Sequence, residues 1–358
     1  MQVADHIENL SKAIDSWFQP DNMKLKKTIE QTVDEGFFSF EDVKHQIRSL
    51  KYATTGDNLH KWAESSGLQA YSLSGKNILC LHAGNLPLVG FQDALSVMMT
   101  GGNYFGKISR KDPYLLPAFL EYFAGLNPES EINWLLNIDD LNIPNADALI
   151  FAGSQESASK VTAVLKENSI ITESTPSLIR TAHFSVAYIT NNHPDTMRDL
   201  TEAVFRYGGA GCRSVAIVVA PFGLNDFKCS FTDYVEEFWL KNPQHSKPDP
   251  SLFHRYAFNK AVNIDQAWLD DFLIEEQLTN PSEKFILQWI KGDMNTLDEI
   301  AARFRDGLQT VYSTNDHIGQ STSDIVIEPL SMAQNPPIWW KPDHFDTIEW
   351  LQENAGNK

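Results

Sequence analysis

The stretch Asn77-Ile78-Leu79-Cys80-Leu81-His82-Ala83-Gly84-Asn85-Leu86-Pro87 decides how this chain is interpreted. A short apolar run ends in a polar, glycine-containing turn, and a helical pattern follows it. The same succession of apolar run and helical pattern recurs further along the chain, at 103–108, 133–136, 148–151 and 185–190. Strands that alternate with helices predict a mainly parallel sheet covered on both faces, and therefore an α/β fold.

The regions on either side predict additional elements. Residues 1–70 carry apolar positions at helical spacing, which favours several short amphipathic helices. Beyond Pro194 the pattern predicts a helix to about Tyr207, a glycine-rich turn and a buried strand at 215–220. Further strands are predicted at 285–290, 309–312 and 324–327, and the proline-rich stretch 241–251 is predicted to be a surface loop. A length of 358 residues favours two domains.

Composition excludes several classes of protein. The 47 acidic and 29 basic side chains give a formal net charge of -18, which repels nucleic acid and anionic lipid surfaces. Neither a membrane span nor a secretion signal is predicted. The three cysteines lack zinc-type spacing and favour a reducing compartment, the cytoplasm, with no metal. A serine hydrolase is also disfavoured, because no serine nucleophile elbow occurs.

Cys212 is the first candidate for chemistry. It follows three glycines in Tyr207-Gly208-Gly209-Ala210-Gly211-Cys212-Arg213-Ser214. Glycines permit unusual backbone angles and a close approach of substrate, and Arg213 would favour the thiolate. A small apolar residue in a tight turn explains the same pattern, and the local sequence leaves both interpretations open. Cys80, inside an apolar run, is expected to be an inert core thiol.

Three further groups follow predicted strands, where open α/β sheets bind ligands. Asn85 is placed to donate to an oxyanion or to cap a strand. Lys107, Arg110 and Lys111 form a cationic stretch that either attracts a phosphate or is simply solvated. Gly153-Ser154 opens a helical stretch whose amides would meet a pyrophosphate, although the local sequence favours an ordinary N-cap role for Ser154.

The order of these pieces resembles that of the aldehyde dehydrogenase superfamily. It runs through Gly84-Asn85-Leu86-Pro87, Gly102-Asn103, Lys107-Ile108-Ser109, Gly153-Ser154 and Gly211-Cys212. Within that superfamily the chain looks most like the LuxC-like acyl-CoA reductases. The similarity covers about 78–219 and returns near 333–336 and 346–348. It implies a Rossmann-like cofactor domain with the N-terminal helices at 1–200, completed by 335–358, and a catalytic domain at 201–334.

The resemblance also implies roles for individual residues. Cys212 corresponds to the acyl-accepting nucleophile and Asn85 to the oxyanion-hole amide. Lys107 and Ser109 match residues near the adenosine ribose of a nicotinamide cofactor, and Gly153-Ser154 matches the position that meets the pyrophosphate. The basic stretch favours NADPH over NADH. The substrate would be a CoA thioester, an acyl-protein synthetase or acyl-transfer protein is the expected partner, and a homo-oligomer is expected.

Two departures from the superfamily pattern bear on the reaction. The stretch Leu178-Ile179-Arg180-Thr181-Ala182-His183-Phe184 lacks the glutamate and glycine pair with which hydrolytic aldehyde dehydrogenases activate water. A thioester intermediate would then wait for hydride, as in a reductase. Ser331-Met332-Ala333-Gln334 replaces a common Gly-Gln pair, which predicts a changed pocket and altered or lost activity. An oxidative aldehyde dehydrogenase and a non-catalytic acyl-binding scaffold subunit are the alternatives.

Overall fold

The computed structural model describes residues 3–69, 72–128, 130–140, 143, 145–244, 247–281, 283–314 and 317–356. The helices are α1 Val3–Trp17, α2 Met23–Asp34, α3 Phe40–Ala53, α4 Gly56–Ser65, α5 Phe91–Thr100, α6 Leu115–Leu126, α7 Gln155–Glu167, α8 Pro194–Phe205, α9 Leu224–Lys241, α10 Ser251–Ala261, α11 Met294–Arg303 and α12 Thr347–Ala355. The strands are β1 Asn77–Leu81, β2 Asn103–Lys107, β3 Ile132–Leu135, β4 Ala148–Ala152, β5 Ser177–Arg180, β6 Phe184–Tyr188, β7 Val215–Ala220, β8 Gln266–Leu269, β9 Phe272–Glu275, β10 Ile286–Lys291, β11 Leu308–Ser313, β12 Ser321–Thr322 and β13 Ile325–Pro329.

These elements form two units. The first comprises Met1–Thr181 and Pro337–Lys358, and the second comprises Ala182–Pro336. The predicted division is at residue 200, whereas β6 and α8 here belong to the second unit. The reason is strand pairing, because β6 is hydrogen-bonded to β7 and β11. None of the helices in the described ranges is long and apolar enough to cross a membrane.

The first unit contains a five-stranded sheet in the order β3-β2-β1-β4-β5, and every neighbouring pair is parallel. Helices cover both faces. One face packs on a core that includes α5, α6 and α12, and the other packs on α7. The register pairs Leu81 with both Lys107 and Phe151. The loops after β1, β2 and β4 therefore leave from one edge of the sheet, where the strand order reverses.

The N-terminal helices belong to the core of the first unit. In α1 the apolar positions Ile7, Leu10, Ile14 and Trp17 are each at most 1% exposed, as helical spacing on one face requires. Asn22, Ser39 and Thr55 cap the starts of α2, α3 and α4 through their side chains. The predicted amphipathic helices are confirmed, and they supply packing for the sheet.

The second unit contains an eight-stranded sheet in the order β12-β13-β11-β6-β7-β10-β9-β8. Five of its parallel strands, β10-β7-β6-β11-β13, repeat the order of the first sheet, with β6 as the central first strand. The short strands β5, β8, β9 and β12 were not predicted. Each has four residues or fewer, which is too short for a periodicity to show in the sequence.

Candidate active site

Cys212 lies in the second unit, three residues before β7, so it is at the amino edge of that sheet. After α8 the chain turns through Tyr207, Gly208 and Gly209, whose φ angles are 58°, 63° and 70°. Two of these left-handed positions are glycines, which adopt such angles without a steric cost. A Cβ on Gly209 would also approach the Val204 carbonyl oxygen to 3.1 Å. The glycine-rich sequence is thus needed for the turn that delivers Cys212.

A second, tighter turn carries the thiol itself. The Ser214 amide donates to the Gly211 carbonyl at 2.9 Å, and the Gly211 amide donates to Ser214 Oγ at 3.2 Å. The Cys212 carbonyl accepts a hydrogen bond from Ser185 Oγ at 3.0 Å. Cys212 is partly exposed, whereas Cys80 is fully buried and burial raises the pKa of its thiol well above the usual value. Cys80 is accordingly an inert core thiol, and Cys212 is a partly exposed cysteine held in a defined turn.

Tyr312 on β11 adds a buried hydroxyl to the same neighbourhood. Its side chain is fully buried, and burial raises its pKa well above the usual value, while the Arg213 charge opposes that rise. Cys212 raises the pKa of this hydroxyl further, and Ser185 lowers it. The hydroxyl makes no hydrogen bond of ordinary geometry in the described part of the chain. Sequence reasoning missed Ser185 and Tyr312, because both lie inside predicted strands and carried no further signal.

Asn85 lies in the first unit, exposed in the loop that follows β1. Two contacts fix this loop. The Leu88 amide, at a residue with φ 56°, donates to Asp112 Oδ2 at 2.7 Å. A Cβ on Gly84 would lie 2.0 Å from Ser109 Oγ, so the loops after β1 and β2 pack directly on each other. The structure therefore brings Asn85 and Ser109 to the same part of the sheet edge.

Lys107 is the last residue of β2 and is half-buried at this edge. Burial lowers the pKa of its ammonium group, and the neighbouring Arg110 charge lowers it further. Within the described ranges Lys107 forms no ion pair, and Arg110 is hydrogen-bonded to the neutral side chain of Asn137. Ser109 Oγ accepts from the Lys111 amide at 3.2 Å. A partly desolvated cation without a carboxylate partner is suited to an anionic ligand.

Gly153 and Ser154 follow β4 at the same edge. A Cβ on Gly153 would lie 2.8 Å from the Phe151 ring, so a larger residue there would require that ring to shift. Ser154 Oγ accepts from the Ser157 amide at 3.2 Å and caps α7. The N-cap interpretation of Ser154 is therefore observed, and the pyrophosphate role remains a prediction. Among the residues that the structure describes, no three His, Cys, Asp or Glu side chains form a group able to hold a metal ion.

The stretch 178–184, which the resemblance compares with the glutamate-containing stretch of hydrolytic aldehyde dehydrogenases, contains a buried arginine bound to a carboxylate. Arg180 ends β5 and is buried; its Nη1 donates to Asp93 Oδ1 at 2.5 Å and its Nη2 to Thr347 Oγ1 at 2.6 Å. The next residues cross into the second unit, where the His183 amide donates to the Gly307 carbonyl at 3.0 Å. This stretch therefore carries no carboxylate of the kind with which hydrolytic aldehyde dehydrogenases activate water.

Comparison with known proteins establishes the fold. No family model and no curated protein sequence matches the chain. Its structure is similar to aldehyde dehydrogenase 21 from Physcomitrella patens in complex with succinate, with a TM-score of 0.65 and 10% identity over 99% of this chain and 85% of that one. It is also similar to the NAD+ complex of an aldehyde dehydrogenase from Bacillus cereus, with a TM-score of 0.60 and 11% identity over 92% and 76%.

A substrate-bound aldehyde dehydrogenase from Staphylococcus aureus is similar as well, with a TM-score of 0.54 and 14% identity over 88% of this chain and 76% of that one. At such identities the likeness shows the fold and not the activity. The chain has the aldehyde-dehydrogenase-like α/β fold that the order of its motifs predicted.

Proposed function

We propose that this protein is a LuxC-like acyl-CoA reductase, which reduces an acyl thioester to an aldehyde through a thioester on Cys212. The observation that carries the proposal is a partly exposed cysteine in a hydrogen-bonded turn, together with a stretch at 178–184 that lacks a glutamate and contains the buried Arg180. Arg180 is bound to Asp93 and has no basic lone pair to offer. An acyl group on Cys212 would therefore persist until it is reduced or passed to another thiol.

The proposed reaction begins with attack of Cys212 Sγ on the thioester carbonyl. The new C–S bond creates an oxyanion, for which the Cys212 backbone amide would be one donor. The resemblance to aldehyde dehydrogenases assigns the role of the other donor to Asn85. Collapse of that oxyanion breaks the bond to CoA, which leaves as a thiolate and takes up a proton. A reduced nicotinamide, when bound, supplies the hydride that converts the enzyme thioester to aldehyde. Cys212 then leaves as a thiolate and is ready for another acyl group.

The first sheet edge fits such a cofactor. Lys107 offers a half-buried cation without an ion-pair partner in the described ranges, and Gly153 keeps the start of α7 free of a side chain. Lys107 with Ser109 would bind the ribose end and Gly153-Ser154 the pyrophosphate. The adjoining Arg110 and Lys111 favour the phosphorylated cofactor, NADPH. We further propose a cytoplasmic homo-oligomer that receives acyl groups from an acyl-protein synthetase or a similar transfer protein.

The test is to measure the intact mass of the protein after addition of an acyl-CoA. Wild type and Cys229→Ala, which removes an exposed thiol on α9, should each gain one acyl group. Cys212→Ala should gain none. NADPH should then discharge the acyl group as aldehyde. Acylation that survives in Cys212→Ala would overturn the proposal, release of free acid without NADPH would favour the oxidative alternative, and stable acylation without discharge would favour the scaffold alternative.

A further inference from the structure

Ser185 is hydrogen-bonded to Cys212 and to Ser214, the two residues on either side of Arg213. It is the second residue of β6, a central strand flanked by β7 and β11, and its side chain is fully buried. Its backbone amide donates to the Ser214 carbonyl at 2.9 Å. Its hydroxyl donates to the Cys212 carbonyl at 3.0 Å. One residue of a central strand thus binds two carbonyl groups of the thiol-bearing turn, those of Cys212 and Ser214.

The Cys212 carbonyl lies outside the regular hydrogen bonds of the sheet, because β7 begins only at Val215. An alanine at position 185 would remove the donor that this carbonyl uses. The direction of the carbonyl fixes the ψ angle of Cys212, and with it the relation between the thiol and the following strand. The turn before Cys212 is already constrained by its left-handed residues. The hydrogen bond from Ser185 constrains the backbone on the other side of the thiol, at the Cys212 carbonyl.

We propose that Ser185 is a positioning residue for the Cys212 thiol and acts through the Cys212 carbonyl. This inference rests on the proposed role of Cys212 as the nucleophile. Ser185 itself touches no reacting atom. A hydrogen bond of this kind makes only a modest contribution to stability. A nucleophile displaced by an ångström, however, slows a reaction by roughly 100-fold. The effect of Ser185 on reactivity should therefore be much larger than its effect on folding.

The second unit offers a matched control in Ser313. It is buried to the same degree, at 1% exposed, and it ends β11, the strand next to β6. Its hydroxyl donates to the Tyr188 carbonyl at 2.8 Å. Tyr188 ends β6 at the carboxyl edge, whereas Cys212 lies at the amino edge of the same sheet. Ser313→Ala therefore removes an equivalent bond without touching the turn that holds the thiol.

The experiment compares Ser185→Ala, Ser185→Thr and Ser313→Ala in the full chain carrying Cys229→Ala. Three quantities are measured: the melting temperature, the rate of Cys212 alkylation by iodoacetamide, and kcat with KM for an acyl-CoA. Both alanine variants should lower the melting temperature equally. Only Ser185→Ala should lower kcat, by about 10- to 100-fold with KM within about twofold, and slow alkylation by more than about twofold. Ser185→Thr, which keeps the hydroxyl, should recover most of both rates.

Equal losses of kcat in Ser185→Ala and Ser313→Ala would overturn the proposal, since the loss would then reflect general destabilisation. A folded Ser185→Thr that is as slow as Ser185→Ala would overturn it too. The same measurements test the proposed function independently of the positioning role of Ser185. If the wild type does not turn over acyl-CoA but Ser185→Ala still slows alkylation of Cys212, positioning is supported and the reductase is not. If the wild type is active and Ser185→Ala matches it in both rates, only positioning fails.

Discussion

Lys107, at the carboxyl edge of the first sheet, is a half-buried cation that has no carboxylate partner in the described ranges. Burial lowers the pKa of its ammonium group, which means that the charge has lost water without gaining a carboxylate. A phosphate would restore the missing interaction. We expect Lys107→Ala to raise the KM for NADPH by about tenfold, equivalent to ~1.4 kcal/mol, and the KM for NADH by less. Steady-state kinetics with both nicotinamides measures this difference.

Lys51→Ala is the control for Lys107→Ala, because Lys51 is an exposed cation on α3 and does not belong to the loops after β1, β2 and β4. Its KM for NADPH should stay within about twofold of wild type, since exposed charges interact weakly through water. A Lys107→Ala variant that keeps both KM values within about twofold would refute the contact. An equal loss for NADH and NADPH would keep the contact but remove the phosphate assignment.

At the scale of single elements, the loop after β1 depends on one buried carboxylate. Asp112 accepts from the Leu88 amide at 2.7 Å and from the Leu115 amide, at the start of α6, at 3.4 Å. Burial raises the pKa of Asp112 from 3.8 to about 6, although both amide bonds lower it. The folded protein thus holds this proton more tightly than the unfolded chain does. The resulting stability is fully present below pH 4 and is lost as the pH rises through 6.

Asp112→Asn should remove this pH dependence and keep a carbonyl acceptor for Leu88. A shift of about two pKa units corresponds to about 3 kcal/mol over the whole titration, of which about 1.4 kcal/mol falls between pH 5 and pH 8. Relative to wild type, the variant should therefore be more stable at pH 8 than at pH 5. The measurement is the free energy of unfolding in urea at both pH values, taken as variant minus wild type. Burial of His82 lowers its pKa to about 4 and acts in the opposite direction, but it cancels in this difference. A difference that does not change with pH would contradict the expectation.

Sequence patterns predicted the strands and the loops that follow them, but not the hydrogen bonds that orient those loops. The ends of β1, β2 and β4 could be predicted because each apolar run stops at a polar turn, and the side chains that follow were then natural candidates. Asp112 and Ser185 could not be identified in this way. Asp112 is bound to an amide 24 residues away and Ser185 to a carbonyl 27 residues away, and those distances in sequence are closed only by strand pairing. An aspartate before a proline and a serine inside a strand carry no such signal.

At the scale of the whole molecule, the α/β class followed from alternating strands and helices, but the order of the strands did not. Each unit places its first strand in the centre, a choice made by tertiary packing that no local pattern records. The return of residues 337–358 to the first unit likewise depends on contacts distant in sequence. Asp346 Oδ2 accepts from Ser66 Oγ at 2.8 Å, and Thr347 accepts from Arg180.

This C-terminal segment should be required for the stability of the first unit. Leu351 on α12 is fully buried in the core that also contains β1 and α5. Leu351→Ala should lower the free energy of unfolding by about 2–5 kcal/mol, since the cavity cannot fill completely. Leu240→Ala, at a leucine that is 83% exposed, should change it by less than about 0.5 kcal/mol. Hydrogen exchange should show faster exchange at the amides of β1, β2 and β4 in Leu351→Ala. Unchanged protection in those three strands would show that α12 is not part of their core.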